Sequence, residues 1–387
     1  MKPVAVTFAK SDAVQVLRHY GLRLLSLSPL ATGPDRLGFA ARTDVGPVFL
    51  RVTPDQTRED ALFEEALLWH LLSHGFRTAA LFQAHNRTGH VRVPGAVVMV
   101  YEWVRGQQWS NAEITEDQTR QFGQIVGQFH LCVADLPVRK RRLLPLSRLA
   151  QRLQARQARL TQAPNGGAQN TSAEDPTAEP DVFAQVLSEI EKLLAEKPLA
   201  IPVGMNHGDL FLDRLFFPKS AQWSLAKPWS GFRKAFGASA AVPHQTADAK
   251  FGLGTPWLVH FGQAAHGPWL EDLAMALLGC AAPSKHTGQN PTVTTEDAAS
   301  DTDRCGPFLL RKARALVAGY QHMRLLTESE WAGLHAALRT VCVRGLGAWL
   351  LDPACLQLGR QPLEYLAQLG QLSTLDPATL IFALRDR

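Results

Sequence analysis

The β-prone segments of this chain crowd into residues 24–106, and the remainder is helical in texture. Strands with one helix among them come first and helices afterwards, which predicts an α+β chain of two lobes. Residues 10–22 (KSDAVQVLRHYGL) begin with a Ser11 or Asp12 cap and space Val14, Leu17 and Leu22 as a helix does. "RLGFAARTDVGPVFLRVTP" holds two β-prone runs around the turn TDVGP, a predicted hairpin. "REDALFEEALLWHLLSHGF" reads as an amphipathic helix ended by Gly75, with Leu62, Ala66, Leu67, Trp69, Leu71 and Leu72 on its apolar face. A second hairpin is expected in "ALFQAHNRTGHVRVPGAVVMVYEWVRGQ", with NRTGH as its turn and 96–103 as a buried strand. Five strands and one helix thus make a small lobe at 1–106, and helices dominate a larger lobe at 107–387. Two stretches near 161–180 and 283–304, rich in Gly, Pro, Ser, Thr, Asn and acids, read as disordered loops.

Composition narrows the class. With 46% hydrophobic and 19% charged residues over 387 positions the chain can bury a sizeable core. No apolar run approaches the roughly 18 residues of a membrane span and no leader pattern opens the sequence, so no membrane contact and a cytoplasmic address are expected. The five cysteines are scattered and lack C-x-x-C spacing, which argues against a disulfide framework or a zinc ribbon. The net charge of +5 is concentrated in Arg139, Lys140, Arg141 and Arg142 and in the segment 218–256. That segment interleaves Trp223, Trp229, Phe232 and Phe236 with lysines and arginines. It reads as an insertion that packs on the lobe or on a protein partner; a nucleic-acid surface is the less favoured alternative.

The stretch "MNHGDLFLDRLFF", 205–217, sets His207, Asp209 and Asp213 in a short polar interruption between apolar residues. A carboxylate there suits a catalytic base, being ionised at neutral pH and short enough to be held rigidly. Together with the small β lobe and the later "PWLVHFGQAAHGPWLEDLAMALLG", this resembles the aminoglycoside phosphotransferase superfamily, of protein-kinase-like fold, with the bacterial homoserine kinase branch nearest. The resemblance runs from the Tyr20-Gly21 region to "QPLEYLAQL". It implies ATP-dependent transfer of phosphate to a small-molecule hydroxyl, homoserine or an amino alcohol first, with Mg²⁺ or Mn²⁺ as the metal.

The family's loop, close to H-x-D-L-F-x-D-N-x-x-F, lays the catalytic base on Asp209 with His207 before it. Its metal-binding asparagine falls on Arg214, which has five donors and no acceptor. The metal-binding aspartate of the family's I-D-F motif falls on His260, a poor ligand for Mg²⁺ but acceptable to Mn²⁺ or Zn²⁺. Asp272 keeps the position that braces the loop. Arg51 stands where the phosphate-binding lysine is expected, Glu64 fits its helical partner, and Gly33 and Phe39 remain of the phosphate-covering turn "GPDRLGF". Two readings stay open. Arg214 and His260 either supply phosphate-neutralising charge in place of a metal, or mark a catalytically silent pseudokinase that serves as a binding or scaffold module; the reliance of phosphoryl transfer on bridging metal favours the second. A softer metal held by His207, Asp209, His260 and His266 is a further, minor alternative.

Overall fold

The computed structural model describes residues 8–30, 37–54, 56–137, 143–162, 180–218, 255–281, 304–352 and 362–385. The insertion 218–256 lies outside the described residues apart from its ends, as do the loops near 161–180 and 283–304; Gly33 and the 139–142 cluster lie outside them entirely.

Strands β1 (Leu24–Leu30), β2 (Leu37–Thr43), β3 (Gly46–Pro54), β4 (His90–Val93) and β5 (Ala96–Glu102) form an antiparallel sheet in the order β1-β2-β3-β5-β4. Thr43 pairs with Gly46, which puts the first hairpin's turn at Asp44-Val45, within TDVGP. The second hairpin differs from expectation. Val93 pairs with Ala96, so its turn is Pro94-Gly95, with Gly95 at φ 74°, the left-handed conformation glycine adopts without strain. NRTGH forms a turn of another kind, between two segments on the same side of β5: Phe82 N–H bonds Val100 O ahead of it, and His90 pairs with Met99 behind it.

Side-chain alternation along β3 and β5 sorts the small lobe into two faces. Val48, Leu50, Val52, Val98 and Val100 pack on one side with Ala13, Val16 and Leu17 of helix α1 (Lys10–His19). Val97, Met99 and Tyr101 point the other way, into a core continuous with helix α2 (Arg58–Ser73) and the helical lobe. The small lobe therefore carries two helices. On α2 the expected apolar stripe needs correction: Leu62 is exposed, Ala66 and Trp69 are half-buried, and Phe63, Glu64, Glu65 and Leu68 are buried. A helix covered on most sides has little amphipathic period, and both acids have partners, Arg51 for Glu64 and His90 for Glu65.

The larger lobe is built from α3 (Glu116–Cys132), α4 (Leu146–Gln162), α5 (Pro180–Ala195), α6 (Trp269–Cys280), α7 (Leu310–Met323), α8 (Glu328–Leu351), α9 (Pro362–Thr374) and α10 (Pro377–Arg385). Short antiparallel pairs join β6 (Val203–Asn206) to β9 (Ala265–Pro268), β7 (Leu215–Phe216) to β8 (Trp257–Leu258) and β10 (Arg304–Cys305) to β11 (Phe308–Leu309). Thr115 and Thr327 cap α3 and α8 through reciprocal boxes with Gln118 and Glu330. Cys132, Cys280, Cys305 and Cys342 are buried free thiols. Among the described residues no helix is long and apolar enough to cross a membrane.

Helices α3 and α7 cross backbone to backbone. A Cβ placed on Gly123 would lie 1.9 Å from Leu316 O, and one on Gly319 would lie 2.0 Å from Arg120 O. This closeness sets His130 of α3 beside Tyr320 of α7, with consequences for the site. Gly319→Ala should therefore separate the helices and destabilise the fold by at least about 1–3 kcal/mol. Gly370→Ala, on α9 with nothing within 4 Å of the added methyl, should instead stabilise by about 0.5–1 kcal/mol. Thermal unfolding of the two variants checks the contrast.

Candidate functional site

Strand β6 ends at Asn206 and delivers His207, Gly208 and Asp209 into the interior. The loop is held from below by Asp272 in the first turn of α6: its Oδ2 accepts His207 N–H at 2.6 Å and its Oδ1 accepts Gly208 N–H at 3.0 Å. Gly208 sits at φ 75°, a conformation that turns two successive N–H groups toward one carboxylate. His207 fixes the next residue. Its Nδ1 accepts Asp209 N–H at 3.3 Å while Nε2 donates to Val259 O at 2.9 Å.

Asp209 and Arg214 are joined: Arg214 Nε donates to Asp209 Oδ2 at 2.7 Å, and its Nη1 contacts Asp213 Oδ2. Burial works against the guanidinium's charge, but the two carboxylates outweigh it and hold the Arg214 pKa above its ordinary value. Arg214 also pairs through its backbone, Val259 N–H donating to Arg214 O. His260 comes directly after, at φ 73° and ψ 56°, with its ring edge-on to Phe49 at 6.2 Å. The two substituted positions thus lie on neighbouring backbone segments. A guanidinium engaged with two carboxylates and an imidazole do not offer the oxygen donors Mg²⁺ requires.

In the small lobe, alternation on β3 turns Arg51 away from α1 and toward α2. There it meets Glu64 in a two-pronged pair, Nη1 to Oε1 and Nη2 to Oε2, both 2.6 Å. Tyr101 O–H donates to Glu64 Oε1 at 3.1 Å, and the guanidinium lies 5.3 Å from the Tyr101 ring centre. Burial opposes the charge on Arg51, yet Glu64 and Tyr101 raise its pKa well above the usual arginine value. This pair lines a cleft of about 370 Å³. Phe49, Tyr101, Trp103, Val104, Phe216 and His260 line it as well. Aromatic walls with a few placed charges are the make-up of a small-ligand site.

Several residues that matter here carry no signal in the sequence. His130, fully buried on α3, places Nε2 3.2 Å from Asp272 Oδ2 and Nδ1 2.8 Å from Tyr320 O–H. Arg324 Nη1 donates to that same phenolic oxygen at 2.8 Å and to Glu330 Oε1 at 2.8 Å. The only consistent assignment runs one way: Arg324 to Tyr320, Tyr320 to His130, His130 to Asp272. Burial raises the Tyr320 pKa above its ordinary value, so the phenol keeps its proton. The His130 ring also stacks on Trp269, 5.2 Å and 11° apart. Phe261, next to His260, meets His207, Phe129 and Phe76 in a buried aromatic group that reaches from α2's end to the loop. Of the other residues the sequence singles out, His266 pairs through its backbone with Met205 on the β6–β9 ladder.

This architecture is that of a two-lobed, kinase-like phosphotransferase fold. The phosphotransferase enzyme family matches over residues 26–225, a little over half of the chain, and the chain belongs to that family. Curated relatives include a homoserine kinase of Paramagnetospirillum magneticum, 23% identical over 355 residues with 90% of this chain and 89% of the relative covered. A homoserine kinase of Methylobacterium radiotolerans is 26% identical over 378 residues, with 94% of each covered. Among solved structures, the spectinomycin phosphotransferase APH(9)-Ia, seen with ADP and spectinomycin, superposes with a TM-score of 0.54 at 10% identity over 98% of each chain. A choline kinase of Cryptosporidium parvum gives 0.55 at 10% identity over 92% of each.

The buried charges of this site make two effects measurable. Glu64→Ala leaves a guanidinium that is 3% exposed without its partner and should cost about 3–5 kcal/mol, whereas Arg51→Met with Glu64→Leu should cost far less; denaturant titration separates them. His130 is held below the ordinary histidine pKa by burial, against the opposing pull of Asp272. The unfolded chain therefore takes up that proton first, near pH ~6.5, and stability should fall as pH drops below that value. In His130→Gln the slope of melting temperature against pH between ~6.5 and ~5 should flatten.

Proposed function

We propose that this protein binds ATP in the cleft between lobes at 1–106 and 107–387 and transfers its terminal phosphate, at a low rate, to the hydroxyl of a small amino acid alcohol, homoserine being the first acceptor to try. The observation that carries this reading is the braced loop: Asp272 and His207 hold Asp209 in place. Asp209 would accept the acceptor's hydroxyl proton as its oxygen attacks the phosphorus. Arg51, fixed by Glu64, would face the phosphates as a bidentate cation. Arg214 would share in neutralising them, and Asp272 would act only by positioning. Support for the acceptor comes from the homoserine kinase relatives, which this chain matches over nearly their whole length.

A catalytically silent nucleotide-binding or scaffold module is the second reading, and one observation favours it. Arg214 engages Asp209 and Asp213 together, so the guanidinium occupies an oxygen of the proposed base. In that reading the insertion 218–256 would meet a protein partner.

Phosphate transfer from ATP to homoserine, measured with Mg²⁺ in the buffer, decides between them. The kinase reading expects slow turnover that Asp209→Asn lowers by about 10²–10⁴, and that Arg214→Asn combined with His260→Asp raises by about 10² or more. No turnover in the wild type or in the double variant, with a clear rise in melting temperature on adding ATP, would leave the silent module. No turnover together with no ATP effect on unfolding would overturn the kinase reading and leave the scaffold.

A further inference from the structure

Away from the cleft, the end of α2 and the end of α3 meet through three ligand-type side chains that the proposed reaction does not use. His70 and His74, one helical turn apart on α2, lie on the same face with ring centres 4.2 Å apart. Asp135, just past α3, turns one carboxylate oxygen to each. His70 Nε2 stands 3.2 Å from Oδ1, and His74 Nε2 stands 3.7 Å from Oδ2. All three ligand atoms lie within 4.8 Å of one another. Around a tetrahedral zinc ion with bonds of about 2.0–2.1 Å, neighbouring ligand atoms are about 3.4 Å apart, a value the two observed spacings bracket.

The tautomer of His74 points the same way. His74 Nδ1 lies 2.9 Å from the carbonyl of His70 and donates to it, which leaves the lone pair of the neutral ring on Nε2, facing the carboxylate. Two acceptors then confront each other across 3.7 Å, an arrangement that a cation between them resolves. A carbonyl-bound imidazole N–H is also the usual device that orients a metal-ligating histidine. Cys132 O, 2.8 Å from His70 Nε2, adds an oxygen at the same place. Entry is open, since the His74 side chain is 39% exposed and that of Asp135 71%.

We propose that His70, His74 and Asp135 form a binding site for a transition-metal dication, zinc above all, that clasps the C-terminal end of α2 to the end of α3 in the other lobe. Two imidazoles and one carboxylate suit Zn²⁺ and leave Mg²⁺ poorly served. On binding, the ion takes the place of the hydrogen that His70 Nε2 donates to Cys132 O, and the neutral ring carries its one proton on Nδ1 instead, so no proton is released overall. The clasp would fix the far end of the helix that carries Glu64.

The test is calorimetric titration of the metal-stripped full chain with ZnCl₂ in excess Mg²⁺, beside His74→Gln and Asp135→Asn. Wild type should take up Zn²⁺, and each variant should bind it at least tenfold more weakly while unfolding at the wild-type temperature in EDTA. Electron paramagnetic resonance of the Cu²⁺-loaded protein should show two nitrogen donors in the wild type and one in His74→Gln. No uptake by the wild type, or equal uptake by all three proteins, overturns the proposal and leaves these contacts as proton-mediated ion pairs.

Discussion

The carboxylate of Asp272 is the contact on which the rest of the site depends. It is 1% exposed, and a charge so far from water needs its neighbours to be donors. Among the described residues it has three, the backbone N–H groups of His207 and Gly208 and the imidazole of His130. Two of those donors are the backbone of the loop that presents Asp209, so satisfying one buried charge and shaping the loop are the same event. His130 is held in turn by Tyr320, Tyr320 by Arg324, and Arg324 by Glu330. The chain of donors ends at a helix cap, since Glu330 also closes the N-terminus of α8. Order at the loop is thus tied to the packing of α3 on α7, the crossing that excludes side chains at Gly123 and Gly319.

Charge in and beside the cleft is balanced internally. Arg51 is spoken for by Glu64, and Arg214 by Asp209 and Asp213. A polyphosphate entering here would compete with carboxylates for guanidinium groups already in good geometry. Arginine serves such sharing better than lysine, because its five donors leave some to spare after a carboxylate has been bound. The same saturation makes the site less dependent on a metal for its own stability, since each guanidinium already sits against an acid.

The range of an interaction decides how legible it is in the sequence. The hairpin around TDVGP and the first helix, read at 10–22, rest on local turn chemistry and period, and they appear where expected. The second hairpin's turn escapes a local reading because two turn signals compete within ten or so residues, and Pro94-Gly95 joins the strands directly while NRTGH only diverts an edge. Leu62 falls on the wrong face because period alone cannot tell that α2 buries its acids against Arg51 and His90. Arg51, Glu64, Asp209 and Arg214 can be singled out by resemblance, though the contact of Arg214 with Asp209 cannot. His130 and Tyr320 are 190 residues apart, and no local pattern announces a hydrogen bond between two helices of ordinary appearance.

The two-pronged pair between β3 and α2 carries a dynamic meaning. A swing of α2 would strand two buried charges at once, at a cost of about 3–5 kcal/mol, so displaced forms would amount to roughly one molecule in 150 or fewer. The pair thus makes α2 a stiff wall of the cleft, costly to displace.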